Sequence, residues 1–116
     1  MSAEARLRRD VEVLAGEIGP RAPRVGDALA RAEAHVRAEL EAAGLVVERR
    51  PYRFFGREVA NLVGVPAGSR EARAWYLVGA HHDSIAATPG ADDNASGVAV
   101  LLGLARRLAD HPLPLR

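Results

Sequence analysis

Two apolar stripes at helical spacing come before any strand signal. Leu7, Val11, Leu14 and Ile18 fall at i, i+4, i+7 and i+11, one face of a helix over residues 3–18. Gly19-Pro20 stops it, and Pro20 to Pro23 reads as a loop. Val25, Leu29, Ala32, Val36 and Leu40 then predict a helix from about Asp27 to Ala43. Asp27 is placed to cap its start, and Gly44 suits the left-handed position beyond its end. Glu33 and Arg37 are spaced to pair on its wet face. His35, among Glu33, Arg37 and Glu39, is expected to be solvated.

The period then changes from 3.6 to 2. Leu45 to Arg53 alternates, with Pro51 marking an edge strand, and Val59, Asn61, Val63 and Val65 share one face of a second strand. An antiparallel pair across Phe54-Phe55-Gly56 follows, with a turn at Pro66 to Ser69. Ala74-Trp-Tyr-Leu-Val-Gly-Ala80 is apolar on both faces, which predicts a strand covered above and below by helices, as in an open α/β sheet. Trp75 and Tyr76 are therefore expected in the core. A last helix over about Ala95 to Ala109 is apolar almost all round from Val98 to Ala105 and is expected to be buried. Pro112 and Pro114 prevent its continuation, and His111 is placed to satisfy its last carbonyls.

At 116 residues the chain is enough for one small domain, read here as a single unit over 1–116. It is 48% hydrophobic and 27% charged, the composition of a globular protein. A formal net charge of +1 supplies no electrostatic reason to expect nucleic acid or an anionic membrane as partner. With no cysteine, disulfide scaffolds, thiolate metal sites and cysteine nucleophiles are excluded. All 16 basic residues are arginine, which excludes a lysine Schiff base and a P-loop lysine. The N-terminus lacks the apolar core of a signal peptide, and the expectation is a cytoplasmic protein.

Candidate chemistry is concentrated between Gly79 and Gly97, from the carboxyl end of the both-face apolar strand to the start of the last helix. Open α/β sheets bind ligands at that end. His81 and Asp83, two apart, share a face of extended backbone. A metal-binding imidazole needs an acceptor for its other N–H, and Asp83 can be that acceptor. Asp92 and Asp93 put two carboxylates side by side, where a divalent ion relieves their repulsion. One can ligate or bridge two ions while the other supports the ligand set, and a histidine among the donors favours zinc over calcium. The plainer readings are that Asp93, Asn94 and Ser96 cap the helix, and that His82, on the opposite face from His81, is packed or hydrogen-bonded.

Taken together, Gly-Ala-His-His-Asp-Ser84 and Gly-Ala-Asp-Asp-Asn-Ala-Ser-Gly97 closely resemble the zinc aminopeptidases of peptidase family M28. The upstream order of two helices, Gly44-Leu-Val-Val-Glu48 and Ala60-Asn-Leu-Val-Gly64 is also similar. The resemblance implies part of a three-layer αβα open-sheet, zinc-peptidase-like domain. It implies that His81 ligates one zinc and that Asp92 bridges two. It gives Asp83 a catalytic supporting role in orienting His81, and has Asp93 back the ligands. The Asp92–Asp93 peptide is often cis in such proteins. The same fold includes glutaminyl cyclases, an acyltransferase alternative, and metal-free receptor ectodomains, which keeps a non-catalytic fragment or assembly module open.

The departure from the family is downstream. The family completes its site with a Glu-Glu pair, an Asp and a His, but here the last Glu is Glu71, and only Asp110 and His111 follow Asp93 among acids and histidines. The expectation is the N-terminal portion of a truncated catalytic domain. It would be inactive alone, bind zinc weakly at His81 and Asp92, and form a homodimer or associate with the missing C-terminal part. A peptide is the substrate expected of the intact parent.

Overall fold

In the computed structural model, residues 1–67, 69 and 72–111 are described. Helix α1 (Ala3–Val11) starts at Ser2, whose Oγ accepts the Ala5 N–H at 3.1 Å. The chain then continues in the wider π-type winding over Glu12–Ile18 and leaves it at Gly19, where φ is +81°. Helix α2 (Ala28–Ala42) has Asp27 at its N-cap position, but the Asp27 side chain makes no capping hydrogen bond. Gly44 follows with φ +88°, the left-handed exit expected of it.

Strands β1 (Leu45–Phe54) and β2 (Arg57–Pro66) pair antiparallel along their whole length, from Leu45 opposite Pro66 to Phe54 opposite Arg57. The two-residue connection has positive φ at both Phe55 (+47°) and Gly56 (+78°), the geometry whose twist matches that of paired strands. Helix α3 (Ser96–Asp110) is entered through a π-type turn, Ala91–Ala95.

The core lies where α2 and α3 meet the winding after α1. Leu14, Ala32, Val36, Leu40, Ala95, Val98, Leu102 and Ala105 form one cluster, and Leu45, Val47 and Leu62 bring the hairpin onto it. A side chain at Gly64 would meet Leu45 Cδ1 at 3.0 Å and Leu40 Cδ2 at 3.4 Å, so the glycine lets β2 approach α2 closely. Helix α3 is buried on one face only: Val98, Ala99, Leu102 and Ala105 are covered, while Val100 is exposed.

Several expectations change. Residues 74–80 are in neither helix nor strand, and Trp75, Tyr76, Leu77 and Val78 are exposed rather than core. Among the described residues β1 and β2 make the only sheet, so no strand flanks this segment. Glu33 and Arg37 do not pair with each other. Glu33 accepts from Arg49 on β1, and Arg37 donates to Glu41, because both arginines reach a better-placed carboxylate. The stops read at Pro112 and Pro114 lie outside the described residues.

Candidate metal centre

Two loops meet beside the start of α3. One carries His81 and Asp83 in the irregular stretch that follows residue 80. The other carries Asp92 and Asp93 in the turn before the helix. His81 Nδ1 lies 3.1 Å from Asp83 Oδ1, and His81 Nε2 lies 3.0 Å from Asp93 Oδ1. The imidazole is thus hydrogen-bonded to a carboxylate at Nδ1 and faces a second one at ion-pair distance from Nε2, and all three side chains remain more than half exposed.

The Asp92 carboxylate does not take part. The structure records no hydrogen bond or ion pair for it among the described residues, while its backbone carbonyl accepts from Ser96 Oγ at 2.8 Å. Asp93 leaves the helical region (φ −116°, ψ 87°), as does Asn94, and this break turns the Asp93 side chain towards His81. The cis peptide lies at Asp93–Asn94, one residue later than expected. The capping alternative is not realised, since α3 has no side-chain cap, and Asn94 Nδ2 reaches back to the His81 carbonyl at 3.4 Å. His111 makes its helix-end contact through its backbone N–H, which donates to the Arg107 carbonyl.

These residues fit a metal ion. Two ligands at about 2.0–2.1 Å from one tetrahedral ion stand about 3.3 Å apart, close to the His81 Nε2–Asp93 Oδ1 separation. The Nδ1–H directed at Asp83 is the usual means of fixing the tautomer and aim of a metal-binding histidine. His82, half-buried, has its pKa pushed below the ordinary histidine value by burial, which favours its neutral form.

Arg21, a residue that sequence reasoning missed, ties the two loops together. Its side chain is fully buried. Nε donates to the His82 carbonyl at 2.9 Å. Nη1 donates to the carbonyls of Leu14, Gly19 and Pro89, and Nη2 to that of Gly90. Burial lowers the Arg21 pKa, partly offset by the charge of Asp83. An arginine in a Gly-Pro-Arg-Ala-Pro loop looks solvated in one dimension, and no spacing signal marks it.

A second polar cluster joins α1, α2 and α3. Asp10, His35 and Glu39 have ligand atoms close enough to share an ion. A cation is already there: Arg106 Nη2 donates to Glu39 at 2.9 Å, and Nη1 stands 3.0 Å from Asp10 Oδ2 in an ion pair not angled as a hydrogen bond. His35 Nε2 meets Asp10 Oδ1 at 3.0 Å, so His35 is packed against a buried carboxylate, not solvated as expected. Burial pulls the Arg106 pKa down, but the hydrogen bond to Glu39 and the pairing with the Asp10 carboxylate outweigh it and raise it above its ordinary value.

Comparison with known proteins bears on the first of these clusters. Residues 61–116, which include His81, Asp83 and Asp93, match the model of peptidase family M28. This stretch is a segment of peptidase family M28. An uncharacterized protein of Escherichia coli (strain K12), YfbL, is 34% identical over 110 residues, covering 88% of this chain and 33% of YfbL. The crystal structure of Tannerella forsythia glutaminyl cyclase matches with a TM-score of 0.66 at 28% identity, over 98% of this chain and 43% of that one. The M28 segment and the residues before it therefore share the α/β fold of M28 peptidases and glutaminyl cyclase. The chain spans a third of the curated relative and under half of the solved one.

Proposed function

We propose that this chain supplies one arm of the metal centre of a zinc-dependent, aminopeptidase-like hydrolase. The observation that carries the reading is the 3.0 Å approach of His81 Nε2 to Asp93 Oδ1 inside the segment that matches peptidase family M28. In this reading His81 and Asp93 hold the ion, and Asp93 takes the role that the sequence alone assigned to Asp92. Bound zinc would supply a polarised carbonyl and an acidified water at neutral pH. Asp83 keeps the Nδ1 proton of His81 and so presents Nε2 as the donor lone pair. Asp92, exposed beside the site, adds negative charge without a ligand's aim.

The chain does not supply a general base. No Glu follows Glu71, and a catalytic zinc site ordinarily keeps three protein ligands, whereas two are aligned here. The activity belongs to a larger catalytic domain, with peptides bearing a free N-terminus as substrates. A second reading, an acyltransferase that cyclises N-terminal glutaminyl residues, is favoured by the likeness to Tannerella forsythia glutaminyl cyclase. Assaying the complete domain on an aminoacyl chromogenic substrate and on a glutaminyl peptide separates the two.

Calorimetric zinc titration of the chain tests the ligand assignment. Binding should be micromolar or weaker, since four-ligand structural sites gain about 10 kcal/mol or more and this one has half their ligands. It should vanish in His81→Ala and Asp93→Asn and persist in Asp92→Asn. Loss in Asp92→Asn with retention in Asp93→Asn would reverse the assignment. The chain with added zinc should release no aminoacyl chromophore; zinc-dependent turnover abolished by His81→Ala would refute the missing-base argument.

A further inference from the structure

We infer that Arg21 is a positioning residue for the metal centre, its buried guanidinium setting the distance between the loop that carries His81 and the loop that carries Asp93. The inference rests on the metal reading above. Arg21 touches neither side chain. It acts on the backbone that aims them.

The guanidinium bonds reach three separate stretches of chain. Leu14 and Gly19 belong to the end of the first helical segment, His82 sits between His81 and Asp83, and Pro89 and Gly90 lead into the turn that holds Asp93. The Arg21 backbone adds a reciprocal pair: its N–H donates to Ser84 Oγ at 2.8 Å, and its carbonyl accepts the Ser84 N–H at 3.1 Å. Both arms of the metal centre are thus measured from one rigid group.

The packing leaves no slack. Gly90 has φ +63°, and a Cβ there would stand 2.6 Å from Ser84 Cβ, 2.7 Å from the Asp93 carbonyl and 2.9 Å from Arg21 Nη2. The two loops are in contact at this point, with the guanidinium wedged against both. The choice of arginine is also informative. A buried cation with no carboxylate bonded to it is costly, and an apolar side chain of similar volume would fill the space without that cost. What an apolar residue or a lysine cannot do is bond the carbonyls of Leu14, Gly19, His82, Pro89 and Gly90 from one rigid group. A guanidinium has five N–H donors at fixed angles, whereas an ammonium is a single rotating point charge. The arrangement suits the spacing of two loops better than it suits stability alone.

The test compares Arg21→Lys, Ser84→Ala and Gly90→Ala with a core lesion on α2 that bonds to neither loop, Val36→Ala, chosen to match their loss of stability. Cobalt(II) and zinc affinities are read by visible absorption and calorimetry on folded protein. Positioning predicts a loss of about tenfold or more in Arg21→Lys, the scale for removing a group that orients a ligand. Ser84→Ala should lose about fivefold, the equivalent of one hydrogen bond. The cobalt spectrum should change in both, while Val36→Ala keeps wild-type affinity and spectrum. If Arg21→Lys does not fold, Ser84→Ala and Gly90→Ala decide. Wild-type affinity in the folded variants, or an equal loss in Val36→Ala, overturns the inference.

Amide exchange of the metal-free chain keeps this inference separable from the metal reading. If the wild-type chain binds neither ion, the metal reading fails. Arg21→Lys must still speed exchange at the Ser84 and Ala95 N–H groups, which donate to Arg21 and Gly90, without affecting the amides of α2. Unchanged exchange at those two amides would exclude Arg21 as the spacer.

Discussion

Asp92 and Asp93 are neighbours with identical side chains, yet only Asp93 faces His81. Nothing in the residue type separates them; the non-helical dihedrals at Asp93 and Asn94 do. The orienting role of Asp83 is testable at the same scale. Asp83→Asn leaves a group of equal size but weakens the hold on His81 Nδ1, and zinc affinity should fall about 10–100-fold by calorimetry. Affinity equal to wild type would show that His81 needs no such partner. Elsewhere burial decides what a charge is worth. Arg106→Leu leaves the buried Asp10 carboxylate with His35 as its remaining partner and should cost about 3 kcal/mol in urea unfolding, towards the lower end for breaking a buried pair. Arg37→Ala, which removes an exposed pair with Glu41, should shift the midpoint far less.

The elements were legible because their periods are local. The stripe from Leu7 to Ile18 and that from Val25 to Leu40 each marked a helix, and Phe54-Phe55-Gly56 marked the hairpin turn. The change to π-type winding after Val11 had no such mark. What ties elements together was also hidden. Arg49 on β1 donates to Glu33 of α2 and to Glu58 of β2, joining helix and hairpin. The hydrogen bond from Arg49, then its charge, holds the Glu58 carboxyl below the ordinary value of 4.5. The folded state therefore keeps Glu58 charged more readily than the unfolded chain does. That contribution is complete above the unfolded pKa and is lost as pH falls through it towards the lowered folded value. Glu58→Gln should lower the urea midpoint at neutral pH, and the difference from wild type should shrink at about pH 3.5. A difference that grows on acidification would contradict the sign.

At the scale of the whole molecule, the exposed run of Trp75, Tyr76, Leu77 and Val78 is its least satisfied feature. It borders an open trough with Val59, Leu62 and Leu104 on its walls. No helix among the described residues is long and apolar enough to cross a membrane. A contiguous exposed apolar run of this kind marks an interface with another chain. The chain should therefore form a homodimer or bind the remainder of the catalytic domain when the two are mixed. Light scattering against concentration checks this. A monodisperse monomer whose melting temperature does not depend on concentration would show that the described residues close their own core.

By itself the sequence determined the helices, the hairpin and its turn, the α/β fold class, the family of the segment around His81 and Asp93, and the short stretch in which the chemistry sits. These are properties of spacing along the chain. The tertiary structure decided which carboxylate meets His81, made Arg21 the meeting point of three segments, and buried Asp10 and His35 against Arg106. It also left Trp75 and Tyr76 exposed, although their own pattern marks a covered strand. The reason is common to all of these. A period reports which face of an element is apolar, whereas burial, ion pairing and the aim of a ligand depend on residues tens of positions away that only folding brings within reach.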